Sequence, residues 1–330
     1  MRFSLLPGRR LTYAAGLAVV VVASIGLYVL MLARAVPNVS SLARATPPSS
    51  SYMRLRAAAD RHTGDDYRIG AETLDDFSPI FICAVVKAED PYFFSHRGLD
   101  WRAIREAAWS SARGQPRGAS TITQQLARNM YLKPERTLDR KLREALIAGE
   151  IDRELSKRRV LTIYLNAVEW GDGIWGAARA SKHYFGKAAS ELDAFESTFL
   201  ASMLPAPRRP LVSANLDRAW ESQQRVLYEL YNSGLIDAAE WQLAIRRAVA
   251  VHVALDAGAS LTAALRVPLA PETTVPPPSS RRNDVPLPHR RALDEGCGLA
   301  RELGEPGWMV LAPPSAEGGR GEIVLRRGEP

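Results

Sequence analysis

The segment AVVKAEDPYFFSHRG, residues 84–98, places two adjacent carboxylates at the end of an apolar run. The run is interrupted by Lys87, and Pro91 disfavours helix at Asp90, so an element is predicted to end beside Glu89. A carboxylate at the edge of a buried segment has its pKa raised toward working pH, which is what a general base needs. On the dipeptide alone, a solvated helix end is the more common explanation. The function of Glu89 therefore depends on the segments that follow.

The segment RGASTITQQ, residues 117–125, predicts the start of a helix. Thr121 and Gln124 have the spacing of a capping box, in which a hydroxyl and an amide satisfy free N–H groups. Exposed N–H groups behind a glycine form a natural anion site, and Gln125 and Arg128 add donors nearby. An ordinary capped surface helix has the same pattern, so the segment is weak evidence by itself. Apolar residues at four-residue intervals form one face of this helix: Ile122, Leu126 and Met130.

The segment RKLRE, residues 140–144, supplies a second carboxylate among cations, and Pro134 suits the start of its helix. Guanidinium groups bind phosphate oxygens through paired hydrogen bonds, which favours a diphosphate site. The simpler explanation is an i,i+4 ion pair between Arg140 and Glu144, which contributes about 0.3 kcal/mol. At about 100° per residue, one face is predicted to carry charge and the opposite face to be buried. The first holds Arg136, Arg140, Arg143 and Glu144, and the second holds Leu138, Leu142, Ala145 and Gly149.

Two further segments complete the pattern. KRRVLTIYLN, residues 157–166, predicts a mostly buried helix, with Tyr164 and Asn166 supporting the site from behind. GDGIWG, residues 171–176, predicts a flexible loop, and the following helix is predicted to stop at Gly186.

In this order, the five segments resemble the five motifs of the family 51 glycosyltransferases, which are related to the transglycosylase domain of class A penicillin-binding proteins. The resemblance runs from about residue 46 to residue 250. Two positions depart from the family pattern. Ala119 stands where a second glycine is usual, and Ala178 stands where the family commonly has glutamate, which puts folding or substrate grip in question.

The resemblance implies a mainly α, lysozyme-like glycosyltransferase domain that polymerises lipid II with inversion and releases undecaprenyl pyrophosphate. Glu89 is then the base that takes the proton of the acceptor 4-hydroxyl, and Glu144 assists departure of the leaving group, directly or by ordering a cation or a basic side chain. The substrate-binding residues implied by the motifs are Ser120, Thr121, Gln124, Gln125, Arg128, Arg136, Arg140 and Lys141. His96 is expected to be structural. No Ser-x-x-Lys motif with a following transpeptidase-sized domain is found, so a monofunctional enzyme is expected.

A membrane anchor is predicted upstream, because Leu11–Leu32 is a stretch of 22 residues without charge. As a helix it is about 33 Å long, enough for a hydrocarbon core of about 30 Å. Arginines at 2, 9 and 10 favour a cytoplasmic N-terminus, and a cleaved signal peptide is the alternative. The predicted divisions are a cytoplasmic N-terminus at 1–10, the anchor at 11–33, a linker at 34–51, the transglycosylase domain at 52–255 and a Pro-rich, partly disordered tail at 256–330. These imply a single-pass protein of the bacterial inner membrane, with its catalytic domain on the periplasmic side.

The composition of the chain restricts the classes of partner that it is expected to bind. A net charge of +7 suits an anionic partner, and the anchor ranks nucleic acid last, so none is expected. The expected partners are lipid II, the nascent glycan strand, the membrane and other cell-wall synthesis proteins. A divalent cation, Mg²⁺ or Mn²⁺, is compatible with the family, although no dedicated ligand cluster is found, and no organic cofactor is expected. There are two cysteines, and the apolar run around Cys83 favours a buried free thiol there rather than a disulfide scaffold.

Two rival functions stay open. A lysozyme-like glycan-cleaving enzyme shares one catalytic glutamate and the fold, but it has little use for Arg128, Arg136 and Arg140. A membrane-tethered scaffold without catalysis is the second rival, motivated by Ala178.

Overall fold

The computed structural model describes residues 7–60, 67–114 and 118–269, together with two short strands at 308–309 and 326–327. The fold is mainly helical, as predicted. The helices are α1 (Pro7–Arg34), α2 (Ser41–Arg44), α3 (Ser51–Asp60), α4 (Pro79–Glu89), α5 (Trp101–Ala112), α6 (Ile122–Tyr131), α7 (Leu138–Glu154), α8 (Lys157–Ala167), α9 (Ala177–Phe185), α10 (Ala194–Met203), α11 (Ser213–Asn232), α12 (Ala238–Asp256) and α13 (Leu261–Ala264). Two antiparallel pairs join β1 (Glu169–Gly171) to β2 (Ile174–Trp175) and β3 (Trp308–Met309) to β4 (Arg326–Arg327).

Helices α4 and α10 form the centre of the core. Every residue of α10 is buried, and the helix packs against α4, α11 and α12. A capping box of Asp193 and Glu196 begins α10, and the helix ends at Met203, ahead of Pro205. A helix buried on all sides is apolar all round, which explains why its sequence shows little amphipathic pattern.

Helices α11 and α12 pack together as a pair. Gly234 lies between them with φ 69°, a left-handed conformation that suits glycine. Asp237 then caps α12 through the backbone N–H of Glu240. Helix α11 packs on α4 as well as on α10, so it lies directly behind the helix that ends at Glu89.

Helix α7 differs from its prediction in both its start and its orientation. It begins at Leu138 with Thr137 as N-cap, so Pro134 and Arg136 precede the helix. The predicted buried face is exposed, with Leu138 86% and Leu142 44% exposed. The predicted charged face is turned inward instead, and the buried residues are Glu144, Ile147, Ala148 and Ile151. The prediction was wrong because it treated Glu144 as a solvated charge, whereas packing against α6 buries it among cations of its own helix.

Helix α1 contains the membrane candidate. Ala15–Arg34 is long and apolar enough to cross a bilayer, and its side chains are almost entirely exposed. The hydroxyl of Tyr28 donates a hydrogen bond to the Asp139 carboxylate, and Asp139 also accepts from Arg143 at 2.8 Å. The apolar helix is therefore attached to α7.

Cys83 is buried in α4 but forms a disulfide, so the prediction of a free thiol was wrong. Burial in an apolar run does not by itself distinguish a thiol from a disulfide, and oxidising compartments outside the cytoplasm permit disulfides. Cys297 lies outside the described residues, as does most of the predicted tail.

The corrected orientation of α7 predicts opposite effects for two serine substitutions. Leu138→Ser changes the free energy of unfolding by less than about 0.5 kcal/mol, because the side chain is exposed. Ile147→Ser costs about 3 kcal/mol, because a buried apolar side chain is replaced by a hydroxyl without a designed partner. Thermal or denaturant unfolding of the full chain in detergent measures both. A larger loss for Leu138→Ser than for Ile147→Ser contradicts the observed packing.

Candidate active site

Asp90 joins two of the motif segments. Its carboxylate lies 2.9 Å from Nε2 of His96 and accepts the backbone N–H of Ile122 at 3.0 Å. The hydroxyl of Thr121 donates to the carbonyl of Gly98 at 2.6 Å. Asp90 and Thr121 therefore fix the N-terminus of α6 against the end of α4. His96 holds Asp90 from the other side, which agrees with its predicted structural role.

Glu89 is the last residue of α4 and faces α6. Its Oε2 accepts a hydrogen bond of 2.6 Å from the amide of Gln125. Burial raises the pKa of Glu89 above its ordinary value, while the Gln125 amide and the charge of Arg128 act against that rise. The carboxylate lines a cavity of about 130 Å³, whose opposite wall is the backbone and side chains of residues 118–121. A half-buried carboxylate with a raised pKa beside an open cavity has the properties of a general base.

Gln125 connects Glu89 to the core. Its carbonyl oxygen accepts from the Tyr164 hydroxyl at 3.0 Å, so its amide group is oriented toward Glu89. Burial raises the pKa of Tyr164 well above its ordinary value, so the phenol stays protonated and keeps donating. Tyr164 thus supports the site from behind, as predicted. Asn166 does not, because its amide donates to the carbonyls of Glu72 and Thr162 at 2.8 Å each.

Thr121 and Gln124 form the predicted capping box of α6. Both side chains are buried, and the Gln124 carbonyl accepts the backbone N–H of Thr121 at 3.0 Å. Their polar atoms are thus engaged in holding the helix start. Substrate contact by Thr121 and Gln124 stays a prediction that this burial does not favour, although Thr121, like Ser120, lines the cavity beside Glu89.

Glu144 is fully buried, and both of its oxygens are paired with cations. Arg140 contacts one oxygen and Lys141 the other, so the i,i+4 ion pair expected from the sequence is present. Arg143, predicted to join this group, pairs with Asp139 instead. Lys141 also donates to the Ser120 hydroxyl at 2.8 Å. Because Ser120 lines the Glu89 cavity, the two carboxylates belong to adjoining parts of one cleft.

A divalent cation does not fit beside Glu144 or Asp90. The Glu144 oxygens already accept from Arg140 and Lys141, and two fixed positive charges repel a metal ion. The Asp90 oxygens are occupied by His96 and the α6 backbone. Among the described residues, no group of three or more His, Cys, Asp or Glu side chains could hold a metal.

Tyr52, in α3, is a site residue that sequence reasoning missed. Burial raises the pKa of its hydroxyl, and the nearby charges of Arg128, Arg140 and Arg208 lower it. Helix α3 packs on α6, which brings the phenol to these cations. No sequence pattern indicated that Tyr52 belongs to the site, because it directly follows a Ser- and Pro-rich stretch that indicates a linker.

Arg136 lies in a second cavity of about 400 Å³, opposite the segment that follows α10. Three more arginines line this cavity: Arg208, Arg209 and Arg218. We call these four residues the arginine basin. Arg208 approaches Glu169 at 3.8 Å, and the other three have no ion pair among the described residues. The run Pro207–Pro210, with two arginines between prolines, was the available sequence signal for this basin.

Ala178 lies away from these cavities. It lines a third cavity of about 310 Å³, together with Arg68, Glu72 and Arg179. The missing glutamate therefore leaves the surroundings of Glu89 and Glu144 intact, and Glu72 supplies a carboxylate to the same cavity.

Comparison with known proteins agrees with this geometry. Residues 60–231, just over half of the chain, match the transglycosylase family. The chain belongs to this family. A biosynthetic peptidoglycan transglycosylase of Azoarcus sp. (strain BH72) is 44% identical over 178 residues, which cover 51% of this chain and 77% of the relative. Relatives of the same name from Rhodospirillum centenum and Alcanivorax borkumensis are 46% and 38% identical, over 41% and 56% of this chain and 59% and 76% of their own lengths.

The junction at Asp90 predicts a difference between two aspartates that each cap a helix. Asp90→Ala costs about 3 kcal/mol, because it leaves a buried N–H and a buried imidazole without their acceptor. Asp100→Ala costs about 1 kcal/mol, because Asp100 only caps α5, which has no buried residues. Unfolding of the two variants measures the difference, and equal losses contradict a special role for Asp90.

Proposed function

We propose that this chain polymerises lipid II into glycan strands, with Glu89 as the general base. The observation that carries the proposal is the half-buried Glu89, which lines a cavity and is oriented by Gln125 next to the cation-rich cleft. Membership of the transglycosylase family and the names of its relatives support the reaction class.

In the proposed reaction, Glu89 takes the proton of the acceptor 4-hydroxyl as the oxygen attacks the anomeric carbon of the donor sugar. The bond between that carbon and the donor diphosphate breaks, and its electron pair leaves on the diphosphate oxygen. Attack from the opposite side inverts the anomeric carbon. The ionised form of Glu89 is the active one. The raised pKa makes this carboxylate a stronger proton acceptor than an ordinary glutamate.

The leaving diphosphate gains negative charge, and preorganised cations stabilise it. Arg128 and the arginine basin are proposed to supply them, because Arg136, Arg209 and Arg218 carry charge that no described carboxylate neutralises. Arg140 and Lys141 are partly neutralised by Glu144, so they contribute less. The sequence analysis placed the diphosphate on the charged face of α7. The proposed site lies toward the arginine basin instead.

Glu144 is proposed to act indirectly. Its carboxylate is fully buried and holds Arg140 and Lys141, so it orders these cations rather than touching the leaving group. No proposed step uses a divalent cation, because Glu144 is occupied by two cationic side chains and Asp90 by His96 and a backbone N–H.

We infer that the apolar helix holds the catalytic domain at a membrane. We propose a single-pass inner-membrane protein whose helical domain lies on the outer side, supported by the arginines that precede the span. The proposed partners are lipid II, the nascent strand and the lipid bilayer. A glycan-cleaving enzyme explains Glu89 equally well but leaves the uncompensated arginines without a substrate group.

Replacing the base predicts loss of polymer formation. Glu89→Gln lowers kcat by about 10³-fold, because the amide keeps the shape but cannot accept the proton. Labelled lipid II and the full chain in detergent measure strand formation. Glu221→Gln, an exposed carboxylate on α11, is the matched control and keeps wild-type turnover. Full turnover by Glu89→Gln contradicts the assigned base, and cleavage of finished glycan by the wild type favours the rival.

Replacing basin arginines predicts a loss of substrate binding. Arg209→Gln and Arg218→Gln each raise KM for lipid II about tenfold, because a charge-assisted hydrogen bond to diphosphate is lost. Arg266→Gln removes the same charge from an exposed position that lines none of the described cavities and leaves KM unchanged. Unchanged KM in both basin variants contradicts the proposed diphosphate site.

A further inference from the structure

Lys87 is a buried cation that the proposed mechanism does not use. It lies two residues before Glu89 in the last turn of α4 and is 1% exposed. Burial lowers the pKa of Lys87, and the charge of Glu229 on α11 opposes this change. A buried ammonium beside a carboxylate from a neighbouring helix ties the two helices together, because either charge alone is costly to bury.

Arg225 completes this connection. Its Nη1 donates to the carbonyl oxygen of Lys87 at 3.4 Å and lies 3.7 Å from the Glu229 carboxylate, one turn further along α11. Its Nη2 donates to the hydroxyl of Ser222 at 3.3 Å, which fixes the guanidinium from the other side. The Lys87 carbonyl belongs to the last turn of α4, where carbonyls lack partners within the helix. Arg225 therefore caps the helix that ends at Glu89.

We propose that Arg225 is a positioning residue for Glu89: it anchors the last turn of α4 to α11 and places a fixed positive charge behind the carboxylate. No sequence motif singled out this residue. The inference rests on the proposed role of Glu89 as the base. The charge of Arg225 favours ionisation of a half-buried carboxylate that otherwise accepts only a neutral amide donor from Gln125.

Several other groups face Glu89, and they determine how far the loss of the Arg225 charge can shift the pKa of Glu89. Helix α6 contributes the Gln125 amide and the charge of Arg128, and α8 contributes the Tyr164 phenol. Both Arg128 and Arg225 lower the pKa of Glu89, while burial raises it most and the neighbouring Asp90 adds to the rise. On the cavity side the charged residues are Asp100, Arg102 and Glu106. Because Arg225 is 48% exposed, solvent screens its charge and the expected shift is modest.

The test is the pH dependence of kcat/KM for lipid II polymerisation by the full chain in detergent. The base works ionised, so activity is lost as pH falls through the pKa of Glu89. Removing a nearby positive charge raises that pKa and moves the acid limb to higher pH. Arg225→Gln is expected to shift the limb upward by about 0.5 pH unit, and Arg225→Lys restores most of it. Arg266→Gln, the matched loss of one exposed charge, leaves the limb in place.

Three outcomes overturn the inference. The first is an acid limb that does not move in Arg225→Gln, and the second is an equal shift of the limb in Arg266→Gln. A uniform loss of kcat without a shift, unrescued by lysine, shows a purely structural role and also overturns it. Infrared titration of the Glu89 carboxyl, with Glu89→Gln as the reference, measures the same shift without turnover. It keeps the test valid if the wild type fails to polymerise lipid II, a result that would contradict the proposed function alone.

Discussion

The structure depends on one buried carboxylate that is not itself proposed to react. Asp90 accepts the first backbone N–H of α6 and is held by His96, so the end of α4 and the start of α6 meet at a fixed point. Negative charge at a helix N-terminus is stabilised by the helix dipole and by the free N–H groups. Since Glu89 precedes Asp90 and Gln125 lies in the first turn of α6, this junction determines the contact between them.

Two glutamates in one cleft, Glu89 half-buried and Glu144 fully buried, have different partners and therefore different chemistry. Glu89 accepts from a neutral amide and lies beside an open cavity, so it is suited to take a proton. Glu144 is enclosed and paired with two cations, so it is suited to hold them in place. Environment, rather than residue type, separates the roles of the two carboxylates.

Local patterns were predictive where neighbouring residues satisfy one another. The capping box at Thr121 and the apolar face beginning at Ile122 are both present. The prediction failed at α7, because helical periodicity shows which residues share a face but not which face the protein covers. Two exposed leucines and a buried glutamate reversed the ordinary assignment, since Arg140 and Lys141 offset the cost of burying Glu144.

The sequence by itself determined the helical class, the apolar span and the five motif segments, because these follow from spacing and composition within short stretches, and the resemblance of those segments to a known family made Glu89 the candidate base. The tertiary structure alone decided the contacts between distant segments. It brought Tyr52 to the cations of the cleft, gathered Arg136 with Arg208 and Arg218, and set Arg225 behind the last turn of α4. Such contacts join residues more than 70 positions apart and depend on how the helices pack, and no local pattern records that packing.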